Sequence, residues 1–296
     1  MRSVYGPVLS RRFGLSFGVD PTLPPKKCSF DCIYCQLGRT IYPVYEPYRS
    51  PDMTSPERLR KDLEEYKPKE FDVITFSGSG EPTANRRLKE LLEVVREFYK
   101  KPVYILTNGS FLSIDRVARV VAEFDNACVK LDARDNRSFR ILNNPHRPKE
   151  FENFLEGHKL IRRYATGVYS IQIMYTKLTD RKVFDVAFSL DPDKIYVTVP
   201  YRRFTELMPE DMERLRDFCK EHGCIMFHKR EKKGYVTEEA IQDLVSRRPM
   251  SIKDLAKALN ADEDTVRKIV IEMERFGKIK LEGDIVRATD RSRSFS

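Results

Sequence analysis

Short apolar runs rich in Val, Ile, Phe and Tyr alternate with segments of helical period between residues 70 and 228. Apolar, β-branched runs of this length predict buried strands, and apolar residues spaced three or four apart predict amphipathic helices. The predicted strands cover residues 71–77, 102–108, 127–133, 168–176 and 194–200. The predicted helices cover residues 85–99, 113–123, 148–164, 180–189 and 209–222, the last two opening at Asp180 and Pro209.

A sixth strand and helix are predicted upstream of these repeats. Residues 14–20 form the strand and residues 56–66 the helix, and the long loop between them carries a cluster of cysteines. Six βα units in succession predict an α/β fold in which a parallel sheet curves into a partial (βα)6 TIM-like barrel. In such a barrel the loops after the carboxyl ends of the strands build the functional site.

The pattern changes to three helices and a hairpin after a basic linker. Helices are predicted at 238–248, after a Ser251 cap and after an Asp262 cap, and two short strands flank Gly283-Asp284. This order is typical of a winged helix-turn-helix, which is a second, smaller domain. The predicted division is therefore residues 1–228 for the barrel, 229–234 for the linker, 235–290 for the winged helix and 291–296 for a frayed tail.

Composition narrows the setting of the protein. No apolar run reaches the roughly 18 to 20 residues of a membrane span, and the N-terminus lacks the features of a secretory signal, so we expect a cytoplasmic protein without membrane contact. The net charge of +9 favours anionic partners, either nucleic acid or an acidic electron donor, although a generally Lys-rich surface explains it equally well. Charged residues reach 33%, Trp is absent and Gln occurs only at positions 36, 172 and 242, which resembles the Lys/Glu-rich, amide-poor composition of thermophile proteins.

Three of the six cysteines, Cys28, Cys32 and Cys35, lie within eight residues, and the others are scattered. In a reducing cytoplasm this favours a metal site over a disulfide framework. Thiolates ligate both zinc and iron–sulfur clusters. A closed zinc site needs a fourth ligand, and none of the four His residues is near the loop, whereas three thiolates on a four-iron cluster leave one iron open. A zinc loop and unligated thiols remain the alternatives.

A second motif, Ser77-Gly-Ser-Gly-Glu-Pro-Thr83, follows the predicted strand at 71–77. Glycines let a backbone approach a ligand closely, and a neighbouring carboxylate accepts hydrogen bonds from an ammonium group. The alternative is a plain βα turn with an N-cap. Polar residues also end the later strands, where they contact a ligand or serve only as satisfied strand ends; these are Thr107, Asn108, Lys130, Asp132, Gln172 and Thr198.

Two further groups of polar residues lie close to the predicted strand ends. Arg11 and Arg12 precede the first strand of the barrel, and Asn143-Asn144-Pro145-His146 follows the fourth. Both groups lie where they could contact a substrate or an anionic group of a cofactor. Ordinary surface turns explain them equally well.

The run Cys28-x3-Cys32-x2-Cys35, with the aromatic Tyr34 before the last cysteine, resembles the radical SAM superfamily. The wider stretch from Gly6 to Thr40 is similar to the branch of the wyosine-synthesising tRNA enzymes and uncharacterised iron–sulfur oxidoreductases, and the resemblance covers roughly residues 5 to 228. It implies a [4Fe-4S] cluster on the three cysteines. It also implies that S-adenosyl-L-methionine binds the open iron and is reductively cleaved to a 5'-deoxyadenosyl radical that abstracts hydrogen from the substrate.

The resemblance also implies the cofactor-binding residues. Gly78 to Pro82 correspond to the GGEP-like element that binds the methionine amino group, although Ser79 departs from the commoner glycine pairing. The predicted S-adenosylmethionine-binding residues are Tyr34, Gly78, Ser79, Gly80, Glu81, Pro82, Thr107, Asn108, Lys130, Asp132, Gln172 and Thr198. A low-potential donor such as ferredoxin or flavodoxin is the implied source of electrons for this oxidoreductase chemistry.

The substrate implied by the branch is a nucleobase, in tRNA above all. This chain departs from the wyosine-synthesising enzymes because it has no cysteine before Cys28 for a second cluster. Peptide or protein modification and an iron–sulfur transcription regulator are the alternatives. We expect the winged helix to recruit RNA or a protein substrate and to take no part in the chemistry, since acidic residues on its recognition helix disfavour duplex DNA.

Overall fold

The computed structural model describes residues 1–10, 12–68, 70–147, 151–200, 207–226, 236–259 and 261–289. The predicted linker at 229–234, the predicted tail at 291–296 and Arg11 lie outside these residues. In the part of the chain that is described, no helix has both the length and the apolar character to cross a membrane.

The strands and helices alternate along most of the chain. The strands are β1 (Val4–Ser10), β2 (Gly14–Val19), β3 (Lys27–Cys28), β4 (Tyr42–Pro43), β5 (Val73–Phe76), β6 (Val103–Thr107), β7 (Asn126–Lys130), β8 (Val168–Met174), β9 (Lys194–Thr198), β10 (Ile225–Met226), β11 (Met250–Ser251), β12 (Ile279–Glu282) and β13 (Ile285–Ala288). The helices are α1 (Pro56–Glu65), α2 (Leu88–Phe98), α3 (Asp115–Ala122), α4 (Asn136–Leu142), α5 (Phe151–Tyr164), α6 (Val183–Ser189), α7 (Pro209–Glu221), α8 (Glu238–Arg247), α9 (Ile252–Leu259) and α10 (Glu263–Arg275).

One sheet organises the larger part of the protein. Its strand order is β1-β2-β5-β6-β7-β8-β9-β10, and every pair from β2 to β10 is parallel. Helices connect successive parallel strands, as the βα repeat requires. The sheet curls into a half-barrel, so the predicted α/β fold with a partial TIM-like barrel is confirmed.

Each predicted strand of the barrel is present, and most are shorter than predicted at the carboxyl end. Ser77, Asn108 and Asp132 belong to the apolar runs in the sequence but lie beyond the ends of β5, β6 and β7. Helix α7 begins at Pro209 as predicted. The prediction that Asp180 opens the preceding helix is wrong, because α6 begins at Val183 and Asp180 caps a turn by accepting a hydrogen bond from Lys182 N.

The sequence pattern did not predict strand β1, the short strands β3, β4 and β10, or helix α4. Strand β1 pairs antiparallel with β2 at the edge of the sheet, with Val4 opposite Val19 and Ser10 opposite Gly14. Helix α4 is held by a capping box in which Asp135 accepts from Ser138 N and the Ser138 side chain accepts from the backbone of Asp135.

The side chains of the curled sheet alternate between its two faces. Outward side chains such as Phe17, Ile74 and Ile105 are fully buried in the main apolar cluster with the helices. Inward side chains are more polar, and the hydroxyls of Ser16 and Thr75 lie 2.5 Å apart. The inside of the half-barrel is therefore a polar lumen in its upper part.

A small aromatic cluster fills the lumen towards the amino ends of the strands. The ring of Phe13 packs edge-on against Tyr104 and Tyr196, with centroids 4.9 and 5.5 Å apart. Val73 and Cys128 belong to the same cluster. It forms a floor below the polar part of the lumen.

Helices α8, α9 and α10 and the sheet β11-β13-β12 form a second unit, called here the C-terminal module (residues 236–289). It has its own apolar core, to which Val8 of β1 adds a contact. The predicted caps are present: Ser251 Oγ accepts from Asp254 N at 3.0 Å, and Asp262 Oδ1 accepts from Thr265 N at 2.7 Å. Strand β11 was not predicted. The assignment of this unit as a winged helix stays a prediction.

Candidate cofactor site at the carboxyl ends of the strands

The cysteine loop runs from Cys28 at the end of β3 to Cys35 and is held by backbone hydrogen bonds to the segment after α4. Asp31 N donates to Asn144 O at 3.0 Å, and Ile33 N donates to Leu142 O at 3.1 Å. Within the loop, Cys35 N donates to Cys32 O at 3.0 Å. The protein thus fixes the conformation of the loop through its own backbone contacts.

The chemistry of the thiols fits an electron-poor metal group. Burial first, and then the charge of Cys32, raise the pKa of Cys28 to about 12. Burial, and then the charge of Asp132, raise the pKa of Cys32 to about 11. Neighbouring buried thiolates need positive charge between them, and metal binding supplies it when the thiols lose their protons. The three thiols match the donors of an iron–sulfur cluster. The one carboxylate on this loop, Asp31, accepts from Thr40 N at 2.7 Å and pairs with Lys26.

No group of three His, Cys, Asp or Glu side chains converges on a single metal ion among the described residues. Cys28 is buried, while Cys32 and Cys35 are half-buried. Cys128, Cys219 and Cys224 are buried apolar residues of the two barrel clusters, which is the usual environment of a free cysteine.

Tyr34 ties the cysteine loop to the fourth parallel strand of the barrel, β7. Its hydroxyl donates to Asp132, and Lys130 Nζ lies 4.7 Å from the centre of its ring. Lys130 also pairs with Asp132 at 2.9 Å, and Asn143 Nδ2 donates to both Asp132 and the Tyr34 hydroxyl at 2.9 and 3.0 Å. Lys130 and Asp132, predicted as cofactor contacts, therefore support the cysteine loop in this structure.

The loop from Gly78 to Pro82, called here the glycine loop, packs directly on the cysteine loop. Glu81 N donates to Lys27 O at 2.9 Å, next to Cys28. A Cβ atom on Gly80 would lie 2.0 Å from the same Lys27 oxygen, and a Cβ on Gly78 would lie 2.2 Å from Asp20 Cγ. Both glycines are therefore required by protein contacts, whereas the sequence motif was interpreted as giving room for a ligand.

The Glu81 carboxylate is buried and its hydrogen-bonding capacity is used within the chain. Oε1 accepts from Thr83 N, the Thr83 hydroxyl and the Thr107 hydroxyl at 3.0, 2.6 and 2.5 Å, and Oε2 accepts from Asn108 N at 2.7 Å. Burial raises the pKa of Glu81, against the effect of these donors. The carboxylate caps the short 3-10 turn at Pro82–Ala84 and joins the ends of β5 and β6. Its predicted contact with an ammonium group stays a prediction.

The side-chain amide of Asn108, a predicted cofactor contact, lies beside the first cysteine. Its Nδ2 lies 3.5 Å from Cys28 Sγ and donates to Ser29 Oγ at 3.0 Å. Asn143 Nδ2 lies 3.7 Å from Cys32 Sγ in the same way. Amide donors beside cluster sulfurs are a recognised means of tuning a cluster. From the sequence alone, Asn143 is a candidate contact to a substrate or an anionic cofactor group, or a residue of an ordinary surface turn.

Gln172 and Thr198 lie away from the cysteines, in the lumen. Gln172 Nε2 donates to Thr198 Oγ1 at 3.2 Å. Both residues line a cavity of about 1020 Å³ between the half-barrel and the C-terminal module, together with Ser77 and Gly78 of the glycine loop. A cavity of this size suits a small molecule or a nucleotide-sized group.

Asp20 and Arg247 are site residues that the sequence did not indicate. Asp20 follows β2 and is fully buried; its Oδ2 accepts from Ser79 N and Ser79 Oγ at 3.1 and 2.7 Å. Arg247, the last residue of α8, enters the barrel and forms an ion pair with the same Asp20 oxygen. Its guanidinium lies 4.0 Å from the centre of the Tyr5 ring. Only Asp20 carried a signal, as a polar residue ending an apolar strand.

The sequence of the chain is similar to those of known proteins. The model of the radical SAM superfamily matches residues 22–190. The chain is 31% identical to the UPF0026 protein MJ1312 of Methanocaldococcus jannaschii, over 96% of this chain and 94% of the relative. It is 29% identical to a protein named GTPase Obg of Brachyspira hyodysenteriae, over 95% of this chain, and spans 44% of that relative's length.

Solved structures match the fold. The structure of anSMEcpe with bound AdoMet is similar with a TM-score of 0.52 at 18% identity, and the match covers 70% of this chain and 60% of that one. A radical SAM methyltransferase from Sphaerobacter thermophilus is similar with a TM-score of 0.52 at 12% identity, covering 72% of this chain and 65% of that one. This chain thus spans less than two thirds of both structures, and at these identities the likeness concerns the fold alone.

Proposed function

Because the chain belongs to the radical SAM superfamily, where it groups with the UPF0026 proteins, we propose that it starts a radical reaction on a substrate held in the half-barrel. The protein is an S-adenosylmethionine-cleaving enzyme, and its cofactors are a [4Fe-4S] cluster and S-adenosylmethionine. When bound, the reduced cluster supplies the electron that cleaves the sulfonium C–S bond and releases a 5'-deoxyadenosyl radical for hydrogen abstraction.

The observation that carries the proposal is the direct contact between the cysteine loop and the glycine loop. Lys27 O accepts from Glu81 N at 2.9 Å, and Asn108 Nδ2 lies 3.5 Å from Cys28 Sγ. The residues proposed to hold the cluster and those proposed to bind S-adenosylmethionine therefore lie at the same edge of the sheet. Such closeness is what a reaction between two cofactors needs.

Each group of residues in the site has a separate role in this proposal. Cys28, Cys32 and Cys35 hold the cluster, and Tyr34 positions their loop on β7. The backbone of Gly78 to Glu81 binds the amino end of S-adenosylmethionine, while the Glu81 side chain keeps that backbone in place. The lumen below holds the substrate and excludes water from the radical.

A nucleobase, in tRNA above all, is the substrate that we propose. The similarity of the stretch from Gly6 to Thr40 to the wyosine branch and the net charge of +9 support it. The same basic surface suits an acidic, low-potential donor such as ferredoxin or flavodoxin. Residues 1–27 contain no cysteine for a second cluster, so we do not assign the reaction of the wyosine-synthesising enzymes to this protein.

The test is the formation of 5'-deoxyadenosine by protein whose cluster has been reconstituted without oxygen. With a chemical reductant and S-adenosylmethionine, the full chain should bind about four irons and form 5'-deoxyadenosine. Cys28→Ala should lose both properties. Cys128→Ala, which removes a buried thiol outside the site, is the matched control and should keep both. A stable protein with a full cluster but no cleavage of S-adenosylmethionine would refute the proposal.

A further inference from the structure

Arg12 projects into the lumen of the half-barrel. It lines the same cavity of about 1020 Å³ as Ser16, Thr75, Gln172 and Thr198. Its guanidinium lies 5.5 Å from the centre of the Phe13 ring, so it sits above the aromatic floor formed with Tyr104 and Tyr196. The sequence had offered Arg12 as a turn residue or an anion contact, and the structure places it inside the barrel.

The charge of Arg12 has no partner among the described residues. Its Nε is buried without a hydrogen-bond acceptor, and its side chain forms no ion pair there. Burial lowers the pKa of Arg12, and among the described residues the opposing influences come from Cys128 and Tyr196, which are neutral near pH 7. Arg12 as a whole is half-buried. A partly buried cation without a counter-charge is suited to bind a ligand that supplies the missing charge.

The wall around Arg12 suits an anion. The barrel side of the cavity contributes hydroxyls and the amides of Gln36 and Gln172, but no Asp or Glu within the described part of the chain. The acidic residues that line the cavity are Asp254, Asp262 and Glu263, all on the C-terminal module. The first two of these are engaged there, since Asp254 accepts from Ser251 Oγ and Asp262 from Thr265 N.

We propose that Arg12 binds an oxyanion group, a phosphate or a carboxylate, of the substrate of this enzyme. The proposal rests on the function proposed above and narrows it to substrates that carry such a group. The hydroxyls of Ser16 and Thr75 lie on the same side of the cavity as the guanidinium, and one of them donates to the other. The guanidinium and the remaining O–H group are therefore the donors, and proteins hold phosphate and carboxylate with such groups. The oxyanion lies deep in the lumen, and the part to be attacked lies nearer the glycine loop.

The experiment uses the full chain with its cluster and two separate probes, inorganic phosphate and malonate. Binding is measured by calorimetric titration and by the rise in unfolding temperature that a bound ligand causes. Arg12→Met removes the charge at similar length, and Arg12→Lys keeps the charge. Arg163→Met is the matched control, because Arg163 is exposed at the end of α5, outside the cavity.

At least one probe should bind to the unaltered protein and to Arg163→Met with equal affinity. Arg12→Met should lose about tenfold or more of that affinity, and Arg12→Lys should keep part of it. Without a probe, Arg12→Met should unfold at the same or a higher temperature, because an uncompensated charge has been removed. The preferred probe distinguishes a phosphate-bearing from a carboxylate-bearing substrate.

Three results would each overturn the proposal. They are no binding of either probe, unchanged binding in Arg12→Met, and a lower unfolding temperature of Arg12→Met without a probe. A fall in S-adenosylmethionine affinity in Arg12→Met would likewise assign Arg12 to the cofactor and not to the substrate. Failure of the proposed function is seen separately, as absence of 5'-deoxyadenosine with the unaltered protein.

Discussion

Replacing Arg247 by Ala should weaken the binding of S-adenosylmethionine, although Arg247 belongs to the C-terminal module. Arg247 forms an ion pair with Asp20, and the exposed fractions of the two side chains are 6% and 0%. The same Asp20 oxygen accepts two hydrogen bonds from Ser79 of the glycine loop. Loss of Arg247 leaves Asp20 as a buried carboxylate without a counter-charge, so its hold on Ser79 changes.

The magnitude follows from the burial of the pair. Removing one partner of a buried ion pair costs about 3 to 5 kcal/mol, and loss of the contact with the Tyr5 ring adds about 1 kcal/mol. Asp20 keeps hydrogen bonds from Thr22 and Leu23, so its carboxylate stays in place beside the glycine loop. We therefore expect a loss of about tenfold to a hundredfold in cofactor affinity, with the rest of the cost appearing as lower stability.

The assay is equilibrium binding of S-adenosylmethionine to cluster-containing protein, with iron content measured on the same samples. Arg275→Ala is the control, because Arg275 is exposed on the same module. Asp20→Asn combined with Arg247→Ala removes both charges and should be less destabilising than the sum of the single changes. Unchanged cofactor affinity and stability in Arg247→Ala would refute the coupling between the module and the glycine loop.

Three other outcomes follow from the site. Glu81→Gln should lower S-adenosylmethionine affinity about tenfold and spare the iron content, because an amide cannot accept all four hydrogen bonds that the carboxylate accepts; equal affinity in Glu81→Gln and the exposed control Glu64→Gln would contradict this. A chain ending at residue 235 should bind iron but lose affinity for S-adenosylmethionine, as Arg247→Ala does. Normal affinity in the shortened chain would instead support the expectation that the C-terminal module takes no part in the chemistry. Burial lowers the pKa of His158 from 6.5 to about 4. Its contribution to the free energy of unfolding is therefore complete above pH 6.5, and about 3 kcal/mol of it is lost as the pH falls to 4. Urea unfolding at several pH values should show this dependence, and His158→Gln should reduce it.

The barrel was predictable because its strands are strongly apolar and its helices periodic. The carboxyl ends of the strands were less predictable, because Ser77 and Asn108 belong to the apolar runs in the sequence but lie outside the sheet, in the site. Strand β1 escaped prediction because Gly6-Pro7 interrupts its short apolar run, and turn residues of this kind usually indicate a loop. The capping box at Asp135 and Ser138 was a usable signal for α4 that the pattern of apolar residues concealed.

The candidate site was predictable where its residues are close in sequence. The spacing of Cys28, Cys32 and Cys35 and the run from Gly78 to Pro82 indicated both loops. Residue types alone could not show that the Glu81 carboxylate accepts hydrogen bonds from its own chain, because the donors Thr107 and Asn108 are more than 25 residues away in the sequence. The pair of Arg247 and Asp20 spans 227 residues. A contact at that separation depends on how two units pack, which no local pattern records.

The contact between Gly80 and the Lys27 carbonyl oxygen has a consequence for how this protein can be varied. The oxygen already fills the place where a side chain at position 80 would begin. Any larger residue there must push away the strand that ends in the first cysteine, so damage to the glycine loop spreads to the iron ligands. In a mutational library, position 80 should therefore behave as an iron-binding position although no atom of it is a ligand. Substitutions in the cysteine loop and the glycine loop should spare iron binding only at positions where the two loops do not contact each other.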